Sequence, residues 1–243
     1  MKKPILALLA ALAVGALPTT SHASFHLMQI EQVIGGVDGD TSAQAIQLRM
    51  RSFGENFVSF TRLYAYDADG LNPVLLLDIS SDISNPNAGT RILLATANFS
   101  DFTTGTFTPD FTLANAIPAS YLAAGKVTYE NDTGSVLWSV AFGGAGYTGT
   151  NTGTLDNDAD GNFGAAFAGP LPSTSLQALQ FTGATSAQST TNAADYALTS
   201  GAAVFTNSAG QSFTVVPEPG VAGLFALGVA LIVLRWRRNA GIE

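Results

Sequence analysis

Apolar and polar residues alternate with a period of two through much of the chain. Ile46, Leu48 and Met50 are interleaved with Gln47, Arg49 and Arg51, and Val136, Trp138, Val140 and Phe142 take every second place of 136–142. That period sends successive side chains to opposite faces, so each run predicts a half-buried strand. Further strands are predicted over 26–34, 56–66, 73–79, 91–95, 126–130, 176–181, 203–206 and 212–216. Helical signal is confined to a turn around 118–123 and another around 192–198. About ten short strands broken by Gly, Asn, Asp and Pro predict an all-β sandwich or barrel. The Ala-, Thr- and Gly-rich stretch 183–203 has few large apolar residues to bury and is expected to be the most loosely held part.

The two ends depart from this period. Lys2 and Lys3 precede a nearly unbroken apolar run, Ile5 to Leu17, and Ser21-His22-Ala23 supplies small residues where a signal peptidase reads. Residues 1–23 are therefore expected to be a signal peptide cut between Ala23 and Ser24, since the run is short for an uncleaved spanning anchor. At the other end Val216-Pro217-Glu218-Pro219-Gly220 leads into the apolar run 221–234, closed by Arg235-Trp236-Arg237-Arg238. Two prolines and a glycine separate this tail from the strands before it. At about 1.5 Å per residue the run covers roughly 21 Å, less than the roughly 30 Å of bilayer hydrocarbon, so it predicts a marginal transmembrane helix. The positive-inside preference puts the three arginines in the cytoplasm, with Trp236 at the interface and the body outside.

The order Pro217-Glu218-Pro219, apolar stretch, arginine cluster resembles the PEP-CTERM sorting signal of bacteria that make extracellular polysaccharide. The resemblance covers residues 216–243. It implies an exported protein held briefly in the inner membrane, then cut from its tail by an exosortase-type membrane protease or transpeptidase and passed to the cell surface or extracellular matrix.

Charge narrows what the body between the signals, residues 24–215, can do. It holds sixteen of the chain's eighteen acids but five of its ten lysines and arginines, a net charge of about −11. Such a surface repels phosphate, which argues against nucleic acid as a partner, and it meets an acidic polysaccharide only through bridging divalent cations. There is no cysteine, so neither disulfides nor thiol catalysis enter.

A second resemblance lies at the start of the body. The segment from His26 to Gly36, with Ala45-Ile46-Gln47-Leu48-Arg49-Met50 after it, resembles the opening two strands of lamin-tail-like domains, except that Gln47 stands where an acid often precedes the leucine. This resemblance implies an immunoglobulin-like sandwich and, being one of fold, no activity. The expected architecture is thus an all-β, immunoglobulin-like or jelly-roll-type sandwich between a signal peptide and a single C-terminal transmembrane helix.

The strongest chemical candidate is Asp156-Asn157-Asp158-Ala159-Asp160-Gly161-Asn162. Carboxylates at Asp156, Asp158 and Asp160, with Gly161 next and the Asn162 carbonyl beyond, have the spacing of the front half of a calcium loop; Phe167 stands where an EF-hand needs glutamate. Ca²⁺ is therefore the one cofactor the sequence suggests, against the alternative that Asp, Asn and Gly simply form a turn. Asp67-Ala68-Asp69-Gly70 and Asp38-Gly39-Asp40 are expected to be hairpin turns. Gly144-Ala145-Gly146-Tyr147-Thr148-Gly149 spells a dinucleotide fingerprint, but no helix is predicted after it, so a glycine-rich connection is expected. His26 is the sole histidine of the body, and no Gly-x-Ser-x-Gly elbow accompanies it. A glycosidase pair of acids from distant strands would leave no local signature.

The expected function is a non-enzymatic structural or adhesive protein of the envelope or polysaccharide matrix. A calcium-dependent carbohydrate-binding module, with Trp138 or Tyr147 stacking on sugar, and a polysaccharide hydrolase are the alternatives. Trp138, alternating with Val136 and Val140, is expected in the core instead.

Overall fold

The computed structural model describes residues 24–218. The signal segment through Ala23, Pro219, Gly220, the predicted span 221–234 and Arg235, Trp236, Arg237 and Arg238 lie outside the described residues. Among the described residues no helix is long and apolar enough to cross a membrane.

The body is a β-sandwich with few helices. One sheet has six strands: β1 (Met28–Ile34), β2 (Ala45–Met50), β5 (Arg91–Ala95), β6 (Phe111–Thr112), β9 (Leu179–Phe181) and β10 (Tyr196–Leu198), in the order β10-β9-β1-β2-β5-β6. The facing sheet has four, β3 (Thr61–Tyr66), β4 (Val74–Asp78), β7 (Gly125–Asn131) and β8 (Val136–Phe142), ordered β4-β3-β7-β8. Between them lies the main core: Met28, Ile30, Ile46, Leu48 and Met50 from one sheet pack with Leu63, Val127, Tyr129, Trp138 and Val140 from the other. Trp138 is fully buried, edge-on to Phe181, and its Nε1 donates to the Tyr196 hydroxyl at 2.8 Å. Tyr196 in turn donates to the Ile30 carbonyl at 2.6 Å, so one hydroxyl joins β8, β10 and β1 across the core.

The six-stranded sheet has a second cover, which the sequence pattern does not anticipate. The hairpin of β11 (Val204–Thr206) and β12 (Ser212–Thr214), with the 3₁₀ turn Ala97–Phe102, packs on its outer face. Phe205, Phe213, Phe99 and Val215 close there over Ile34, Ala45, Leu93 and Ala95. Strand 45–50, expected to be half-buried, is therefore buried on both faces, with Gln47 inaccessible and Arg49 8 % exposed. A register shift between Ile30 and Gln32 lets β1 serve both layers, with Ile30 and Val33 in the main core and Ile34 in the second.

Stretch 183–203 is likewise not loose. Asn192 and Tyr196 are buried, and the expected helical turn over 192–198 divides into one turn of helix, Asn192–Asp195, and strand β10. Asp195 organises this corner: its carboxylate accepts from the N–H groups of Thr190 and Thr191 and from the hydroxyls of Ser189 and Thr190.

Two short connections follow the aspartate and glycine chemistry expected of them. Asp38 and Gly39 both have positive φ, 52° and 95°, the requirement of a tight mirror-image turn, with Val37 and Asp40 exchanging backbone hydrogen bonds around it. Between β3 and β4 the Asp67 carboxylate accepts from the N–H groups of Asp69 and Leu71 and from Asn72 Nδ2, which holds its pKa below the usual carboxylate range.

Candidate functional site

The outer face of the six-stranded sheet changes from apolar to charged toward one end, and a groove opens there. Glu31, 2 % exposed, is the hub. It accepts from Arg91 Nε at 2.7 Å and Nη2 at 2.9 Å, from Arg49 Nη1 at 2.7 Å, and from Gln47 Nε2 at 2.7 Å. Arg49 also donates to Gln29 Oε1 and to the Gly183 carbonyl, while Gln29 Nε2 donates to the carbonyls of Ala184 and Ala187. Gln47 Oε1 accepts from the Thr206 backbone N–H. Alternation put these polar side chains on one sheet face, and the network uses that face to hold both the 183–187 loop and the β11–β12 hairpin. Burial lowers the Arg49 pKa despite Glu31, whereas the hydrogen bonds that Arg91 donates to Glu31 raise that of Arg91.

Arg91 is also the junction of two open cavities. One, about 350 Å³, is lined by Gln32, Gln180, Thr199, Ser200 and Gly201 among others; the second, about 290 Å³, by Asn85, Thr90, Asn207 and Ser208 among others. Both include Arg91 and Thr206, so the two adjoin there as neighbouring parts of a groove beside the hairpin. Its polar lining is hydroxyls, amides and a guanidinium, with Val204, Ala202, Ala88 and Ala209 beside them. Gln32 is 5 % exposed, and its Oε1 has no hydrogen-bond partner although its Nε2 donates to the Val204 carbonyl. A buried carbonyl oxygen without a donor is uncommon, and here it belongs to a residue that lines the larger cavity. None of these groove residues stands out in the sequence, because they come from widely separated segments.

The aspartate loop is built differently from its spacing. Asp158 Oδ1 accepts from the N–H groups of Asp160 and Asn162 at 3.0 and 3.1 Å, Asp160 Oδ1 from Asn162 at 2.9 Å, and Asn162 Oδ1 from Gly164 at 3.0 Å. Asp156 turns away from this winding, its Oδ2 accepting from the Thr154 hydroxyl at 2.8 Å. Asp158 and Asp160 thus come together and Asp156 does not join them. Among the described residues no three Asp, Glu or His side chains converge closely enough to hold a metal ion by themselves. Burial, and the neighbouring Asp160, raise the pKa of Asp158. Its ionised form is therefore disfavoured by folding at neutral pH, a cost relieved as pH falls through the raised value or as positive charge arrives.

Asn157, inside the same loop, is structural. Fully buried, it donates to the Leu137 carbonyl at 2.7 Å and the His26 carbonyl at 2.6 Å, and accepts from Arg51 Nη1. His26 contacts Ser24 Oγ through Nδ1 at 2.6 Å, and the Ser24 N–H donates to the Gly54 carbonyl. Gly144–Gly146 is a 3₁₀ turn. Beyond it Gly149 lies so close to Gly70 that a Cβ would meet the Gly70 backbone at 2.6 Å, so the glycines there serve loop-to-loop packing. Tyr147 reaches the Thr150 carbonyl, and burial pushes its pKa up to about 12. At the C-terminal boundary the Val216 N–H donates to the Phe102 carbonyl at 2.9 Å, while Pro217 and Glu218 are exposed.

The chain matches no protein-family model and no curated protein.

Proposed function

We propose that this chain is an exported adhesive component of the cell envelope or extracellular matrix, non-enzymatic, whose immunoglobulin-like sandwich holds exopolysaccharide in the groove over Arg91. The observation that carries the reading is the lining of that groove: hydroxyl and amide groups of Gln32, Gln180, Thr199, Ser200 and Thr206 around one guanidinium. Sugar hydroxyls both donate and accept, and such a set answers both needs. Arg91 Nε and Nη2 are committed to Glu31, which fixes the plane of the guanidinium.

Gly201 supplies the test. A Cβ added there meets nothing within 4 Å, so Gly201→Trp fills the larger cavity with little disturbance of the fold. Co-sedimentation of the full chain with the polysaccharide of its host should weaken at least about tenfold, roughly the loss of 1.4 kcal/mol of binding, with an unchanged melting temperature. Equal binding by the variant, or none by the natural protein, would remove the groove as the adhesive site.

Delivery rests on the PEP-CTERM resemblance, with signal peptidase acting between Ala23 and Ser24 and an exosortase-type enzyme at Pro217-Glu218-Pro219. An open Pro217 and Glu218, directly after the last residue anchored to the sandwich, suit a segment that another protein must grip. Alanine at all three motif positions should leave the protein in the inner membrane at its unprocessed tail mass. Fractionation and mass spectrometry check this, and release of the tail-less form at the normal rate would refute the sorting assignment.

A further inference from the structure

The loop 158–164 holds an oxygen that nothing in the protein satisfies. Asp158 is 2 % exposed, yet its Oδ2 has no hydrogen-bond partner, while Oδ1 is occupied by two backbone N–H groups. A carboxylate oxygen without donor or counter-ion is costly to bury. Arg51 reaches this loop through the Asp156 carbonyl and Asn157 Oδ1, and its other hydrogen bond goes to the Ser186 carbonyl, none of them to Asp158. The group beside Asp158 is a second carboxyl, Asp160, and not a cation.

The loop's winding shows what fits. Asp158, Asp160 and Asn162 each fold back to accept an N–H two residues on, which places three side-chain oxygens along one turn of chain. Gly161 and Gly164 have φ of 72° and 68°, values that permit so tight a path.

We infer that Asp158 Oδ2 is the inner ligand of a Ca²⁺ site in loop 158–164, completed by Asp160, Asn162 and backbone carbonyl or water oxygens. The register lies two residues beyond the one the spacing alone suggests, with Asp158 rather than Asp156 at the head. Calcium accepts an irregular set of six to eight oxygens, neutral ones included, whereas magnesium demands a near-octahedral one. Two carboxylates and neutral oxygens make a weak site of the class found outside cells, with a dissociation constant on the order of 10⁻⁴ to 10⁻³ M. The site is independent of the groove over Arg91, and no glycan enters its test.

Calorimetric titration of the chelator-treated full chain with CaCl₂ should give saturable heat in that range. At 10 mM calcium the melting midpoint should rise by about 3–10 °C, the shift expected for a site of this affinity in a domain of this size. Asp160→Asn should weaken binding at least about tenfold. Asp158→Asn keeps the turn acceptor but removes the buried charge, so it should abolish the calcium response while leaving the metal-free midpoint within a few degrees. Absence of heat and shift in the natural protein overturns the site, as does an undiminished response in Asp158→Asn; an equal shift with MgCl₂ overturns its assignment to calcium.

Discussion

Glu31→Ala is expected to destabilise the body by about 3–5 kcal/mol, the range for removing one partner of a buried ion pair. In a domain of this size that lowers the melting midpoint by roughly 6–20 °C. The reason is what remains behind: Arg49, 8 % exposed, would keep its charge in the sheet interior with its main counter-ion gone, and Arg91 beside it would add repulsion. Glu31→Gln should be nearly as damaging, because an amide nitrogen cannot accept from either guanidinium. Replacing Glu31 and Arg49 together by leucine and methionine should recover much of the loss, since neutral packing removes the desolvation cost with the charges. Thermal or urea melts of the three variants check the ordering. A loss below about 1 kcal/mol for Glu31→Ala, the value of an exposed pair, would mean that water reaches the network.

That network also marks where the sequence stopped being legible. The strands were readable because a period of two is imposed by geometry: the expected runs over 91–95 and 136–142 coincide with β5 and β8, and those over 73–79 and 126–130 overlap β4 and β7. Alternation says which side chains share a face but not whether that face meets water. Gln47 and Arg49 looked like a solvent face, yet segments more than 130 residues away in the chain, including Gly183 and Thr206, close over them. The same limit hid the groove, since Gln32, Arg91 and Thr199 converge only through tertiary contact. Strand β10 was missed for a different reason. Ala193, Ala194 and Asp195 favour a helical turn that the chain does form, and the burial of Tyr196 in the main core then draws the next residues into the sheet. At the aspartate loop the spacing groups three carboxylates, but backbone N–H groups engage Asp158 and Asp160 while Asp156 pairs with the Thr154 hydroxyl, a division that spacing does not carry. Asn157, surrounded by aspartates, reads as one more loop residue and is instead an anchor of the sandwich.

Asn192→Ala is the second change expected to be severe, at about 3–4 kcal/mol, and its cause is the edge of the four-stranded sheet. β8 ends that sheet, so one row of its backbone groups has no neighbouring strand. Asn192 substitutes for one: its Oδ1 accepts from the Ala141 N–H at 2.8 Å and its Nδ2 donates to the Ser139 carbonyl at 3.0 Å, the pair of bonds a partner strand would make. The same Oδ1 also accepts from Asn151 Nδ2 at 2.7 Å. Asn157 continues the pattern at the Leu137 carbonyl, and the backbone N–H groups of Thr154 and Phe167 reach the Val136 and Ala141 carbonyls. Alanine at 192 would strand two buried backbone groups, each costing about 1–3 kcal/mol when unpaired, and would leave Asn151 Nδ2 with only its bond to the Gly164 carbonyl. Asn192→Asp keeps the acceptor but loses the donor and buries a charge, so it should not rescue. An unpaired β-edge is also a template for another chain, so the Asn192→Ala protein should associate in a concentration-dependent way below its melting temperature, which light scattering would detect. A variant that melts normally and scatters no more light than the natural protein would show that β8 does not depend on side-chain amides to close its edge.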